Sequence, residues 1–489
     1  VFGRRSGRKF GGSGLAALAA AAFFLSACTG AEFAGRQISM PEPPRQKAGP
    51  TGQAAREHAR ILAAYGGAYD DPKLEAMLEP IVDKLVAASE RPDLKYNITI
   101  LNSPAVNAFA LPSGQLYVTR GLIALANDNS ELASVLSHEM AHVIARHAAI
   151  RDEQMRQAAL VNRVANDVLT DPQMGALALA KSKIALASFS RGQEFEADGI
   201  GVGISSRAGY DPYGATRFLT SMGRNAELKA ASTKIDPRSL DFLSSHPATP
   251  ERVQNARLNA RQFVAPGPGE REKAMYYSAI DGLVYGEDPS EGFVRGRRFL
   301  HPKLGFTFVA PEGYTLDNTA QAVFGVTENG EQALRLDVVR VPAEQKLSDY
   351  LNSGWIENID AESVNDLTIN GLNAATATAR GDQWSFRLYA VRFGSDVYRF
   401  IFAAKQRTPE LDLSFRYAVS TFRRMTRAEI AQARPLRLKV VTVGPHDSAE
   451  RLASRMAHVD RPLDRFRVLN GLDPSDRLRP GDRVKIVVE

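Results

Sequence analysis

Residues 138–142 read His-Glu-Met-Ala-His, two imidazoles four positions apart with a carboxylate beside the first. On a helix, positions i and i+4 share a face about one turn apart, so both rings can point at one ion. Glu139 is offset by ~100° around the axis, which aims it at a water on the ion rather than at the ion itself. Leu132, Val135, Leu136, Val143 and Ile144 form an apolar stripe along the same stretch, so the helix is expected to be buried, where an ionised glutamate needs a chemical reason. A histidine pair of this kind with an adjacent carboxylate points to a zinc ion and metal-assisted hydrolysis.

A hydrolytic zinc site takes a third protein ligand and leaves one position open. Residues 190–198, Ser-Arg-Gly-Gln-Glu-Phe-Glu-Ala-Asp, offer Glu194 and Asp198 one turn apart on an expected helix. Glu194 is expected to ligate the metal, and Asp198 to accept a hydrogen bond from a ligating imidazole and so fix its tautomer. Glu196 has a different helical phase and is the competitor for the ligand role. His147 lies five residues beyond His142, off the metal-facing side of a continuous helix, and reads as structural.

Three stretches together resemble the HtpX-like and CAAX-prenyl-protease-like zinc metallopeptidases, the gluzincin-type peptidase family M48. They are NAFALPSGQLYVTRGLI at 107–123, ELASVLSHEMAHVIARH at 131–147 and SRGQEFEADGIGV at 190–202, and the resemblance covers residues 56–262. It implies His138 and His142 as zinc ligands, Glu194 in an E-x-x-x-D pattern as the third, and Glu139 as the general base. Family members carry a similar pattern around Ser245-His246-Pro247 and Arg252. His246 is therefore expected to approach the open metal position, as a transition-state donor or as a latch, and Arg252 to polarise the scissile carbonyl. Asn107-Ala108-Phe109-Ala110 is expected to form an edge strand on which an extended substrate backbone pairs, with Asn107 and Phe109 at the substrate. The resemblance further implies a periplasmic branch acting on unfolded or misassembled envelope and outer-membrane proteins.

The elements that must position these residues are mainly helical over 56–265. Apolar residues at three-and-four spacing predict a helix over 74–88, alternation predicts strands at 96–102 and 115–119 around the Pro112-Ser113-Gly114 turn, and 131–147 predicts a helix. The breaker cluster at 265–270 suggests a boundary, with a linker region over 266–298. Residues 299–428 show short β-rich runs at 306–309, 333–339, 376–379, 384–391 and 397–403, with helices near 346–360 and 408–420. Residues 437–489 read strand, helix, helix, strand and resemble a LysM domain, which implies binding of peptidoglycan. The fold class expected is thus multidomain: a mainly α zincin-like metalloprotease domain with a small sheet, an α+β domain faintly similar to PsbP and Mog-type sandwiches, and a βααβ LysM-like domain.

The chain of 489 residues is 44% hydrophobic and 24% charged, a globular composition. Arg4, Arg5, Arg8 and Lys9 precede residue 28 with no acid among them, so of the net +6 only +2 belongs to the rest, and no nucleic-acid partner is indicated. Residues 1–27 read as a leader, a basic stretch and then an apolar run from Leu15 to Leu25. That run ends Leu25-Ser26-Ala27-Cys28, similar to a bacterial lipobox, and Cys28 is the single cysteine. A lipoprotein anchored to the outer membrane on its periplasmic side, by a tether over 28–55, is the expectation, with the membrane met only through the lipid. Two rival readings are a non-catalytic envelope adaptor or chaperone on the protease fold, and a wall-binding structural lipoprotein.

Overall fold

In a computed structural model of the chain, the described residues are 52–151, 153, 189–232, 246, 249–263 and 270–489, except 320, 321, 355, 357, 382 and 458. The expected leader, Cys28 and residues 28–51 of the expected tether lie outside them. Helices α1 (Gly52–Ala64) and α2 (Pro72–Ala88) open the fold. The Asp71 carboxylate caps α2, accepting the N–H groups of Lys73 and Leu74, while Leu74, Leu78, Ile81, Val82 and Leu85 bury its apolar face. A three-stranded sheet follows: β1 (Asn97–Leu101), β2 (Ala108–Ala110) and β3 (Gln115–Thr119), in the order β1-β3-β2. The pair β1–β3 is parallel and β2–β3 antiparallel, which leaves β2 at an edge.

A short helix α3 (Arg120–Leu125) leads into α4 (Asn129–Ile144), the helix of the histidine pair. Asp128 caps α4, its carboxylate accepting the Glu131 N–H at 2.8 Å. Every residue from Asn129 to His142 is buried. The expected continuous helix over 131–147 is corrected here: α4 stops at Ile144, and Arg146 takes a left-handed conformation with φ 57°. That turn redirects the chain before helical geometry resumes at His147.

Helix α5 (Arg191–Arg207) carries the second motif and starts with a capping box between Ser190 and Gln193. It crosses α4 closely because Gly201 has no side chain; a Cβ there would lie 3.0 Å from both Cα and N of His138. Helices α6 (Gly214–Ser232) and α7 (Pro250–Ala260) complete this part, α7 with Thr249 as its cap and Pro250 at the first helical position.

The expected linker over 266–298 is also corrected. It contains helix α8 (Glu270–Ile280), whose Tyr276, Tyr277 and Ile280 are buried in the peptidase core, and strand β4 (Val284–Tyr285). Next come β5 (Phe293–Arg295), β6 (Arg298–His301), β7 (Phe306–Val309), β8 (Tyr314–Asn318), β9 (Val323–Thr327) and β10 (Gln332–Arg340). Helix α9 (Leu347–Leu351) is short, and strand β11 (Ile359–Ile369) takes up the end of the helix expected near 346–360. Strands β12 (Leu372–Arg380), β13 (Ser385–Phe393) and β14 (Asp396–Ala404), helix α10 (Pro409–Ser420) and strand β15 (Arg423–Arg424) finish the region. One sheet has seven strands, β11-β12-β13-β14-β10-β9-β8, and another four, β15-β7-β6-β5. Their buried faces form two cores of their own, the larger rich in phenylalanine and the smaller made of Val, Leu and Ala.

The last segment pairs β16 (Leu436–Thr442) with β17 (Arg483–Val488) around two helices, α11 (Ala449–Ala453) and α12 (Pro462–Leu469). It is not set apart from the peptidase part. Strand β4 adds to its sheet, and Leu438, Leu452, Phe466, Leu469, Val484, Ile486 and Val487 share one core with Leu125, Ala126, Phe218 and Tyr276. The buried Lys485 ammonium donates to the carbonyls of Ala124, Leu125 and Ala126 at 2.8, 3.2 and 2.7 Å, where α3 ends. A cation there answers the negative end of the helix and its unpaired carbonyls. Among the described residues no helix is long and apolar enough to cross a membrane.

Candidate metal centre

Helices α4 and α5, held close by Gly201, face one another with His138 and His142 on one and Glu194 on the other. The two Nε2 atoms lie 3.0 Å apart. Glu194 Oε2 is 3.6 Å from His138 Nε2, and its Oε1 is 3.5 Å from His142 Nε2. His246 closes the group, with Nδ1 2.9 Å from Glu194 Oε1 and 3.4 Å from His138 Nε2. One donor atom from each of these four residues lies within 4.8 Å of all the others.

That spacing fits a metal. With bonds of ~2.0–2.1 Å, ligand atoms on a tetrahedral zinc stand ~3.3 Å apart, which is the spacing seen here. The surroundings fit too. His138 Nδ1 lies 3.0 Å from Asp198 Oδ1, which leaves Nε2 as the ring atom that could ligate a metal. Burial holds His138 and His142 below the usual imidazole range and His246 at about 3, which keeps the rings neutral, the form that binds a metal. Glu139 is 3% exposed, and its Oε1 has no hydrogen-bond partner, an orphan facing the same space.

Glu139 is set by two elements. It sits one position past His138 on α4, and its carboxylate accepts the backbone N–H of Ala110 on edge strand β2. Burial pushes its carboxyl well above the usual range, the neighbouring Glu194 adds to this, and Arg252 and the Ala110 N–H oppose it. Burial also raises Glu194. It would raise Asp198 as well, but hydrogen bonds from Arg252 and His138 outweigh it and hold Asp198 at about 2.

The structure gathers most residues that the sequence singles out and moves four of them, Arg252, His147, Asn107 and Phe109. Arg252, expected at the scissile carbonyl, is 2% exposed and stands behind the ligand. Its Nη1 lies 2.6 Å from Glu194 Oε2, and its Nε and Nη2 donate to the two oxygens of Asp198 at 2.8 and 2.7 Å. All three nitrogens of the guanidinium thus meet the two buried carboxylates, which makes it a brace for Glu194 and Asp198. His147, expected off the site, reaches His142, with their Nδ1 atoms 3.0 Å apart. Phe109 turns away from the free edge. Thr119 N–H donates to Asn107 O and Leu111 N–H to Gln115 O, so Asn107, Phe109 and Leu111 face β3, and Ala108 and Ala110 carry the outward backbone groups. The Asn107 amide donates to Tyr65 Oη at 3.0 Å, and the Phe109 ring stacks on Tyr117. The Ala110 contact to Glu139 had no signal in the sequence, since it depends on how β2 lies over α4.

The sequence profile described as "Peptidase family M48" matches residues 72–260. The beta-barrel assembly-enhancing protease of Yersinia pestis is 31% identical over 241 residues, which are 47% of this chain and 48% of that protein. The mitochondrial metalloendopeptidase OMA1 of Schizosaccharomyces pombe is 31% identical over 175 residues, 36% of this chain and 49% of that one. The chain therefore spans about half the length of the curated relatives it matches. Among solved structures, cyanobacterial PsbP from Synechocystis sp. PCC 6803 aligns with 28% of this chain and 98% of its own at 13% identity and a TM-score of 0.22, too slight a likeness to argue from.

Proposed function

We propose that this chain, whose residues 72–260 match the profile of peptidase family M48, is a zinc-dependent endopeptidase of the bacterial envelope. The single observation that carries the reading is the convergence of His138, His142 and Glu194 on one point with the Glu139 carboxylate beside it. Zinc bound there would polarise the scissile carbonyl and lower the pKa of a water beside it toward ~7. Glu139 is placed to take the proton from the attacking water and return it to the leaving amine, a role worth ~10²–10⁴ in rate. A carboxyl whose affinity for protons is raised by burial suits both halves of that transfer. His138 and His142 hold the ion through Nε2, Asp198 keeps His138 in the right tautomer, and Arg252 holds Glu194 and Asp198 in place.

Substrate backbone would pair along the outward side of β2, using Ala108 and the Ala110 carbonyl, which selects extended, unfolded segments. Unfolded or misassembled envelope and outer-membrane proteins meet that requirement, and the name of the Yersinia pestis relative ties that protein to β-barrel assembly. His246 sits in the fourth ligand position, so it would have to swing away before a substrate carbonyl enters, the latch reading. Lipid attachment at Cys28, residence at the outer membrane and peptidoglycan binding by 437–489 rest on the sequence patterns. The core shared by 437–489 and the peptidase would then bring the glycan to the body of the enzyme rather than to a tethered arm.

The test is digestion of an unfolded barrel protein by the wild type and by Glu139→Gln, both assayed for zinc. Zinc at one per chain in both, with turnover lost only in the variant, is the expected result. Equal digestion by the two would end the enzyme reading.

A further inference from the structure

The two histidine ligands are held differently. His138 Nδ1 meets a carboxylate, Asp198, itself clamped by Arg252. His142 Nδ1 meets another imidazole, His147 Nδ1, at 3.0 Å. His147 Nε2 in turn lies 3.3 Å from Oε2 of Glu196.

Hydrogen-bond logic fixes the direction of this chain. A neutral imidazole has one N–H and one lone pair. If His142 gives its Nε2 lone pair to the metal, its proton is on Nδ1, and it must donate to His147. His147 Nδ1 is then the acceptor, so its own proton sits on Nε2 and is donated to the Glu196 carboxylate. Each of the three groups is used in the one tautomer that suits it. His147 is 1% exposed, while the Glu196 side chain is 59% exposed, so the chain runs from the centre to the surface.

The backbone is bent to make this contact. On an uninterrupted helix a residue five beyond His142 would lie ~140° around the axis, out of reach. Arg146, a non-glycine residue at φ 57°, breaks α4 and turns His147 back over His142. A residue with a Cβ in that region is strained, and such strain persists where surrounding contacts demand it.

We propose that His147 is the positioning residue for the ligand His142, accepting its Nδ1–H and anchored through its own Nε2–H by Glu196. The inference rests on the zinc reading above. Removing partners of this type typically costs ~10–100-fold in metal affinity. The pair therefore assigns a role to the two residues that the zinc motif itself leaves over.

Zinc affinity of the metal-stripped full chain, measured by chelator competition, tests this without recourse to turnover. His147→Leu is expected to bind zinc ~10–100-fold more weakly than wild type, and His147→Gln to recover most of the loss, because a carboxamide oxygen accepts where the imidazole did. Melting of the metal-free variants should match between Leu and Gln, which separates positioning from general packing. A Leu variant that binds like wild type, or a Gln variant as weak as Leu, overturns the proposal. Nitrogen-15 NMR of histidine-labelled, zinc-loaded wild type gives a second readout that needs no variant. The proposal requires His147 protonated on Nε2 and bare on Nδ1; the opposite tautomer refutes it. Wild type that takes up no zinc would refute the metal reading as well, whereas normal wild-type binding with an indifferent Leu variant removes only the role of His147.

Discussion

Arg252 offers the sharpest test of how the centre is built. Its guanidinium is set against two carboxylates that are 2% and 5% exposed, Glu194 and Asp198. Arg252→Met keeps the volume and removes the charge, stranding both acids. Breaking a buried pair from one side costs ~3–5 kcal/mol, because the remaining charge has no compensation. A domain of this size loses ~2–4 °C of melting temperature per kcal/mol, so the metal-free variant should melt ~6–20 °C lower. Saturating zinc should recover part of the deficit, since the ion offers Glu194 another positive charge. Arg252→Lys, with charge but no fork, should fall in between. The measurement is a melting curve with and without zinc, beside turnover. If Arg252→Met melts like wild type without zinc and loses only turnover, the guanidinium acts on substrate and the bracing argument fails.

Gly201→Ala places a methyl 3.0 Å from the His138 backbone, where nothing can yield except the helices themselves. It should destabilise by ~1–3 kcal/mol and weaken zinc binding by parting Glu194 from His138; unchanged melting and affinity would count against the close crossing as the cause. Glu287 is pushed up to about 7 by burial, although the Val294 N–H and Arg295 oppose this. A carboxyl raised in the folded state adds stability that is complete below the usual 4.5 and lost as pH rises through about 7. Between pH 5 and 8, wild type should therefore lose up to ~2–3 kcal/mol more than Glu287→Gln; identical pH profiles would contradict it. Deleting 437–489 should leave a chain without a cooperative, zinc-stabilised melt, because Phe466, Ile486 and Val487 complete the peptidase core. A truncated protein that melts and binds zinc normally would mean that the segment is a separate module. Ala110→Pro removes the N–H that Glu139 accepts and should lower turnover while zinc content stays at one per chain, whereas lost zinc would place the damage elsewhere.

What was legible in the sequence is what local periodicity encodes. The i, i+4 spacing pairs His138 with His142 and Glu194 with Asp198, and β-rich runs mark five of the strands of 299–428 and the βααβ order of 437–489. What was not legible depends on contacts between distant residues. Arg252 lies 54 residues from Asp198, and nothing nearby says whether its guanidinium turns to a carboxylate or to a substrate. Lys485 finds its acceptors about 360 residues away, so a segment that reads as an independent domain is part of the peptidase core. The breaker cluster at 265–270 suggests a linker, but Tyr276 and Tyr277 just beyond it are core residues. His147 falls off the metal-facing side only if helical phase continues through Arg146, where the helix has already ended.

Charge balance explains why these parts come as a set. Glu139, Glu194 and Asp198 are three buried carboxylates, burial holds the imidazoles of His138, His142 and His246 neutral, and the Arg252 guanidinium contacts two of the acids. With all acids ionised this leaves two negative charges on buried side chains, which is costly in a low-dielectric interior. Without a metal the cheapest remedy is to keep Glu139 and Glu194 protonated, and both are displaced in that direction. On the proposed function, a divalent cation would offset the imbalance and favour the ionised form of both carboxylates, one to ligate and one to act as base. Binding of the ion would then be coupled to the availability of the base. A second arginine in place of His246 would cancel one of the two negative charges without a metal and should weaken that coupling.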